Sequence, residues 1–439
     1  MQTGRPRAAV YTLGCKVNQY ESQAIAEALA EAGFEILDFH EKCDIYIINT
    51  CTVTAESDRK ARQIVRRAWH QNTEAGIFVT GCYAQTQPEA VAKLPGVVYV
   101  CGSRNKLSVV TEALKYIDSV RPLKEDICIC VSDVERDPFE KMSIRRAERV
   151  RAGIKIEDGC DNRCTYCAIP GARGRVASKP PQDVLAEAES LVRAGYCEIV
   201  LTGIETASYG KDLTGVGLID LLELVDRIPC LERVRLGSLD PSYLSMDVIS
   251  RMSELIHLAP HFHLSVQSGS DAVLCKMKRR YRAETVARSV AEIRKYMPQV
   301  LFTADIIVGF PGETDAQFQE TVSLVEQIGF LHVHVFPFSP RTGTVAAKMQ
   351  EQVSEHVKRQ RVAVLNDVQQ RSEKRICRLE AEASRTYSVL FERHENGRNI
   401  GRAANFLEIS VPGGEDLSGK IRTVRVMGIR AGMLHGVLI

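Results

Sequence analysis

Between residues 8 and 339 short apolar runs alternate with amphipathic helical stretches, and no other feature restricts the fold as strongly. AAVYTLGC (8–15), DIYIINTC (44–51), GIFVTGC (76–82) and GVVYVCG (96–102) are too short for buried helices and read as strands. ESQAIAEALAEAG (21–33), a polar helix at 57–70 and another near 87–94 fill the intervals. Strands joined through helices run parallel, so residues 1–140 read as a parallel sheet covered by helices. The rhythm resumes in GIKIEDG (153–159), CEIVLTG (197–203), RVRLGS (233–238), HFHLSVQ (261–267), LFTADIIVGF (301–310) and LHVHVFPFS (331–339). Six such units fit a partial (β/α)6 barrel or an open doubly wound sheet. A long amphipathic pattern at 354–382 reads as a connecting helix. Beyond it apolar and polar residues alternate, with turns at Asn396-Gly397 and Pro412-Gly413-Gly414, the pattern of a small antiparallel β-barrel. The fold class is therefore α/β with an all-β tail, divided as 1–140, 141–374 and 375–439. Three units agree with 439 residues at roughly 150 per domain.

Composition narrows the chemistry. Lys plus Arg is 57 and Asp plus Glu is 55, so any nucleic-acid footprint must be local rather than global. No apolar run approaches the roughly 18 residues of a membrane span, and residues 1–10 lack the apolar core of a leader, so a cytoplasmic location is expected. In such a reducing compartment, 14 cysteines point to metal binding or redox chemistry rather than to disulfide staples.

The cysteines fall into two constellations. Cys160, Cys164 and Cys167 form a Cys-x3-Cys-x2-Cys triplet directly after a strand. One loop with that spacing can wrap a four-iron cluster and supply three thiolates, leaving one iron open to a small molecule. A zinc site with a distant fourth ligand is the alternative. Cys15, Cys51 and Cys82 each end a predicted parallel strand, about one βα unit apart. Carboxyl ends of parallel strands share one edge, so these thiols can converge on a second three-ligand site. They can equally be three separate core thiols, and Cys101 also ends a strand and is a rival ligand.

These residues carry a resemblance. YTLGCKVNQYES (11–22), INTCTVTAESDRKARQ (48–63), VTGCYAQ (79–85), KIEDGCDNRCTYCAIPGARGR (155–175), HLSVQSGSDAVLCKMKRRY (263–281), ADIIVGFPGET (304–314) and FPFSPRTGT (336–344) resemble the radical S-adenosylmethionine (SAM) methylthiotransferases, and the tail resembles their TRAM domain. The resemblance implies two [4Fe-4S] clusters: one on Cys160, Cys164 and Cys167 that binds SAM, and an auxiliary one on Cys15, Cys51 and Cys82. It implies a central radical-SAM barrel, with Tyr166, Gly203, Ser238 and Gln267 as candidate SAM contacts. The branch it most resembles adds a methylthio group to carbon 2 of N6-threonylcarbamoyladenosine at tRNA position 37. Implied partners are the tRNA anticodon stem-loop, an electron donor such as a flavodoxin or ferredoxin, and a sulfur source. No membrane partner is implied, and a monomer is expected.

Three rivals remain at this stage. A sister branch acts on isopentenyladenosine, but its motif resembles GCQMNEYDS rather than GCKVNQYES. Another methylthiolates an aspartate of a ribosomal protein and resembles GCPKN. A non-catalytic, zinc-stabilised RNA-binding protein would use the same cysteines and terminal barrel. Candidate RNA contacts are the basic runs at Arg59–Arg67 and Lys276–Arg282, with Tyr387, Phe391 and Phe406 either stacking on bases or filling the core. The basic stretch 141–152 reads as a solvated linker or a phosphate contact. The alternating pairs His261/His263 and His332/His334 are expected to be packed or hydrogen-bonded rather than ligands.

Overall fold

The computed structural model describes residues 4–118 and 127–439; the first three residues of the segment read for a leader lie outside it. The N-terminal sheet comprises β1 (Arg7–Thr12), β2 (Glu35–Ile36), β3 (Ile45–Thr50), β4 (Gly76–Gly81), β5 (Val97–Cys101) and β6 (Cys128–Cys130). Its order is β2-β1-β3-β4-β5-β6, all parallel. Every residue of β3 and β4 is buried, as expected of central strands covered on both faces. Helices α1 (Lys16–Glu31), α2 (Ala55–Gln71) and α3 (Cys82–Thr86) follow β1, β3 and β4. α2 starts where Thr54 accepts the Ser57 amide, with Glu56 and Asp58 in the first turn.

The central region contains β7 (Ala152–Lys155), the short pair β8 (Glu157–Asp158) and β9 (Ala177–Ser178), β10 (Glu198–Thr202), β11 (Arg233–Leu236), β12 (Ser238–Leu239), β13 (His261–Gln267), β14 (Leu301–Val308) and β15 (His332–Pro337). β11-β10-β7 and β12-β13-β14-β15 are parallel arcs that meet around Gly237, giving the partial barrel. Alternation assigns the faces. Phe302, Ala304, Ile306 and Val308 of β14 are fully buried in the main core, whereas Thr303 and Asp305 meet His263 from β13. The segment before β7 forms a strap. Arg145 and Arg146 donate backbone amides to Glu27, and Arg151 pairs with Glu392 at 3.2 Å, so this stretch is held to protein carboxylates.

A 29-residue helix, Glu355–Ala383, capped by Ser354, leads to a closed barrel. Its strands are β16 (Thr386–Glu395), β17 (Arg398–Ala403), β18 (Glu408–Pro412), β19 (Ile421–Arg430) and β20 (Met433–Leu438), in the order β16-β17-β18-β20-β19. Tyr387 and Phe391 lie in its core, which removes them from base stacking. The barrel docks on the amino ends of the central strands: Arg233 Nη2 donates to Ser388 O and Oγ, both at 2.9 Å.

Candidate functional site

Cys15 stands at the N-cap of α1, Cys51 directly follows β3, and Cys82 opens α3 after β4. All three lie at the carboxyl edge of one parallel sheet. The Gly14 loop passes so close to Cys51 that a Cβ on Gly14 would meet Cys51 Cβ at 2.7 Å and Sγ at 3.1 Å. The backbone there has φ +107°, a conformation open to glycine. Burial raises the Cys15 and Cys51 thiols, the latter to about 11, and Cys82 pushes both further up, so the three sense one another. Arg173 Nε donates to Cys82 Sγ at 3.3 Å and opposes the shift at Cys15. Cys101 faces elsewhere: its thiol donates to Asn105 O at 3.3 Å within a separate core cluster.

The second triplet follows β8. Cys160 N bonds Gly174 O at 3.0 Å, and the Asn162 and Ile169 amides point at the sulfurs of Cys160 and Cys167, each at 3.4 Å. Arg279 Nη1 reaches Cys164 Sγ at 3.4 Å while its Nη2 holds Asp240 at 2.8 Å. Arg279, in the basic run read as an RNA contact, is therefore turned inward to the cysteine loop. Burial pushes Cys160 and Cys167 up to about 12, so the free thiols are neutral and a coordinating metal would deprotonate them.

Of the four other candidates, Tyr166 lies on this loop, and Gly203, Ser238 and Gln267 lie at the ends or junctions of central strands. Tyr166 packs against the cluster containing Phe310 and Phe338. Gly203 follows β10 so closely against Glu157 that a Cβ would meet its Oε2 at 2.5 Å. Ser238 begins β12 opposite His263. Gln267 ends β13 with φ +63°, a conformation costly for a non-glycine residue and found where surrounding structure enforces it. Two carboxylates escaped the sequence reading. Glu157 Oε2 accepts the Glu205 amide at 2.9 Å, while its Oε1 is buried without a partner. Burial, reinforced by Asp240, pushes Glu205 up to about 7. Their signal was the Gly203-Ile204-Glu205 turn after a strand.

A buried charge network links the two cysteine sets. Arg173 bridges Glu21 at 2.8 Å and Asp158 at 3.0 Å; Lys155 bridges the same pair at 2.7 and 2.6 Å. Lys106 pairs with Glu21, and Arg104 approaches Asp158 at 3.9 Å. Four cations thus face two carboxylates, all essentially without solvent exposure. Buried charge demands compensation. The surplus positive charge borders Cys82, where a thiolate-ligated cluster would place negative charge. Two of that set, Cys15 and Cys82, also stand at helix N-termini, which favour anions. The donor set and its surroundings therefore fit an iron–sulfur cluster.

The histidines pair across strands rather than along them. His263 Nε2 lies 3.1 Å from Asp305 Oδ2, its Nδ1 is 2.8 Å from Thr303 Oγ1, and His334 completes a group whose ligand-type atoms fall within 4.8 Å. Both ring nitrogens of His263 are met by protein, and His334 packs its ring against His263 and His332.

Comparison with known proteins places this geometry. Residues 154–325 match the Radical SAM superfamily, and residues 7–102 match Uncharacterized protein family UPF0004. The chain is 40% identical over 435 residues to the Threonylcarbamoyladenosine tRNA methylthiotransferase MtaB of Bacillus subtilis, covering 95% of this chain and 93% of that one. The chain belongs to the radical SAM methylthiotransferases. It is also 32% identical over 451 residues to a tRNA-2-methylthio-N(6)-dimethylallyladenosine synthase of Acetivibrio thermocellus, covering 100% of this chain and 92% of that one. Among solved structures, the radical S-adenosylmethionine methyltransferase TsrM of Kitasatospora setae, with cobalamin and a [4Fe-4S] cluster bound, has the same fold at TM-score 0.59 and 17% identity, over 79% of this chain and 74% of that one.

As a radical SAM methylthiotransferase, the chain should depend on the close passage at Gly14. Gly14→Ala introduces the Cys51 clash and backbone strain of about 1–3 kcal/mol. Iron after anaerobic reconstitution is expected to fall toward about four per chain, the content of a single cluster. Retention of full iron would detach Cys51 from the site.

Proposed function

We propose that this chain is a tRNA methylthiotransferase that adds a methylthio group to carbon 2 of N6-threonylcarbamoyladenosine at position 37, beside the anticodon. The observation that carries the reading is the 40% identity with the Bacillus subtilis enzyme over nearly the full length of both chains. The GCKVNQYES motif around Cys15 favours the same branch over the isopentenyladenosine sister.

In this reading Cys160, Cys164 and Cys167 hold the SAM-binding [4Fe-4S] cluster, and Cys15, Cys51 and Cys82 hold the auxiliary one. When bound, the clusters and SAM supply the one-electron cleavage, the sulfur and the methyl group that the protein lacks. The chain's own residues orient and insulate. Gly203, Ser238, Gln267 and Tyr166 line the approach to SAM. Arg279 and Arg173 place positive charge beside each cysteine set. The charge network through Glu21 and Asp158 fixes the two sets relative to each other. We assign 1–140 to the auxiliary-cluster domain, 141–374 to the radical-SAM domain with its connecting helix, and 375–439 to a TRAM-like RNA-binding domain. A flavodoxin or ferredoxin class donor, a separate sulfur source, action as a monomer and a cytoplasmic location complete the proposal. No helix among the described residues is long and apolar enough to cross a membrane.

Reconstitution without oxygen tests the reading. About eight iron and eight acid-labile sulfide per chain are expected, as two four-iron clusters require. The product on a threonylcarbamoyladenosine-bearing anticodon stem-loop should be its 2-methylthio derivative by mass spectrometry of the nucleosides. About four iron would remove the auxiliary site, and zinc in place of iron would turn the protein into a metal-stabilised RNA binder.

A further inference from the structure

A cavity of about 490 Å³ opens beside Cys15 into the lumen of the partial barrel. That size falls within the roughly 300–1,000 Å³ of small-molecule sites. One wall is a single stripe of α1: Lys16, Gln19, Tyr20 and Gln23, spaced i, i+3, i+4 and i+7. The opposite wall includes Thr202 at the end of β10 and Arg235 on β11, and Phe406 from the terminal barrel closes one end. The ring of Phe406 stacks on His261 at 4.3 Å and lies 5.0 Å below the Arg235 guanidinium, so it floors the cavity instead of meeting RNA outside.

The cavity wall carries an excess of positive charge: Lys16, Arg149, Arg151 and Arg235 face one carboxylate, Glu148. Glu198 accepts from Arg235 Nε at 2.7 Å and from Arg233 Nη1 at 2.9 Å, so one carboxylate serves two guanidinium groups. Arg235 is 2% exposed, and its Nη1 is buried with no hydrogen-bond partner. Arg151, also on the wall, is committed to Glu392. Lys16 forms no hydrogen bond or ion pair among the described residues. Its charged surroundings are Arg151, Arg235, Asp305 and Glu198, and Asp305 is engaged by His263. A buried guanidinium edge inside the cavity and a solvent-exposed ammonium without a protein partner on its wall select a ligand with a carboxylate. Thr12, Thr202, Gln19 and Gln23 add donors and acceptors for a hydroxyl and an amide.

We propose that this cavity receives the N6 substituent of the target adenosine, with Lys16 and Arg235 pairing with the carboxylate of its threonyl group. The proposal rests on the methylthiotransferase reading above and supplies its substrate selectivity. Lys16 follows Cys15 directly in the chain, so the wall of the cavity begins one residue from a candidate cluster ligand. The isopentenyladenosine motif GCQMNEYDS has Gln at this position. An apolar isopentenyl group would leave the buried Arg235 edge unpaired, a penalty that polar pockets use to reject apolar analogues.

The test compares anticodon stem-loops carrying N6-threonylcarbamoyladenosine as the free acid or as its methyl ester, which differ in that one charge. With the reconstituted, unmutated enzyme, KM for the ester is expected to be at least tenfold above that for the acid, with kcat changed less. Lys16→Gln should shrink the ester-to-acid KM ratio at least fivefold, and Lys16→Arg should restore most of it. Iron content, measured on each variant, identifies any that has lost a cluster, and the ratio on unmutated enzyme needs no variant. Equal KM for acid and ester on an enzyme that methylthiolates both overturns this inference and leaves the activity standing. Methylthiolation of isopentenyladenosine RNA with none on the threonylcarbamoyl RNA overturns the functional reading itself.

Discussion

Replacing Cys160, Cys164 and Cys167 together with Ala is expected to abolish SAM cleavage and leave about four iron per chain, one cluster's worth. Replacing Cys15, Cys51 and Cys82 should also leave about four iron, yet SAM should still be cleaved while no methylthio product forms. The asymmetry follows from the separate placement of the two sets. The first lies on the loop after β8, flanked by Arg279, Glu205 and Asp240 of the central barrel. The second lies on the edge of another sheet, flanked by Arg173 and Asn18. Each set contributes three thiolates, so each triple replacement leaves one cluster without any protein ligand. A methylthio product from the second variant would remove Cys15, Cys51 and Cys82 from sulfur insertion. 5′-Deoxyadenosine from the first would remove Cys160, Cys164 and Cys167 from SAM chemistry.

The parts legible in sequence are those written in local pattern. β3 and β4 are buried throughout because helices cover both faces, and β14 alternates a core face with Thr303 and Asp305, so their positions were readable. The capping box at Thr314 and Gln317 was likewise local, with Thr314 Oγ1 accepting the Gln317 amide. β2 and β6 were not legible: they are edge strands of two and three exposed residues, with no alternation to detect. The helix expected near 87–94 is present as Pro88–Ala92, and the short helix Cys82–Thr86 before it is not among the expected elements; this short helix stops at Gln87 because Pro88 cannot continue it.

Charge was the harder property to place. Arg173 and Glu21 lie 152 positions apart, and both read as surface residues until the fold brings them into contact at the centre of the molecule. Lys155 alternates with Ile154 and Ile156 in GIKIEDG and so takes the opposite face, and nothing local says that this face is buried or names Glu21 as its partner. The basic stretch 276–282 looked uniform, yet Arg279 points at Cys164 while Lys276 caps Gly312 O at 3.1 Å. Composition gives the sign of such a run and tertiary contact decides its direction. The histidines show both sides of this: alternation puts His261 and His263 on one face, where both meet Thr303 Oγ1, but only the sheet reveals that His263 also meets Asp305 from the neighbouring strand.

Glu21→Gln is expected to destabilise the protein by about 3–5 kcal/mol, the cost of breaking a buried ion pair from one side. Glu21 is fully buried on α1 and receives Arg173, Lys106 and Lys155 together. Gln preserves shape and leaves four buried cations with Asp158 alone. Glu35→Gln is the contrast: its pair with Arg7 is half exposed at 3.3 Å and should contribute at most about 1 kcal/mol. Trp69 is the sole tryptophan and lies on α2, so its fluorescence in a urea titration follows the N-terminal sheet directly. The pH dependence has a definite sign. Burial alone would raise the Glu21 carboxyl, but Arg173, Lys106 and Lys155 outweigh it and hold it well below the usual carboxylate range. Its stabilisation is therefore fully present above the unfolded value near pH 4.3 and is lost as pH falls toward the folded one. The gap between Glu21→Gln and the unmutated chain should stay constant from pH 8 to about 5 and narrow only below about 4. A gap that closed between pH 7 and 5 would mean that Glu21 is not held ionised by its three partners, and the link between the two cysteine sets would need another origin.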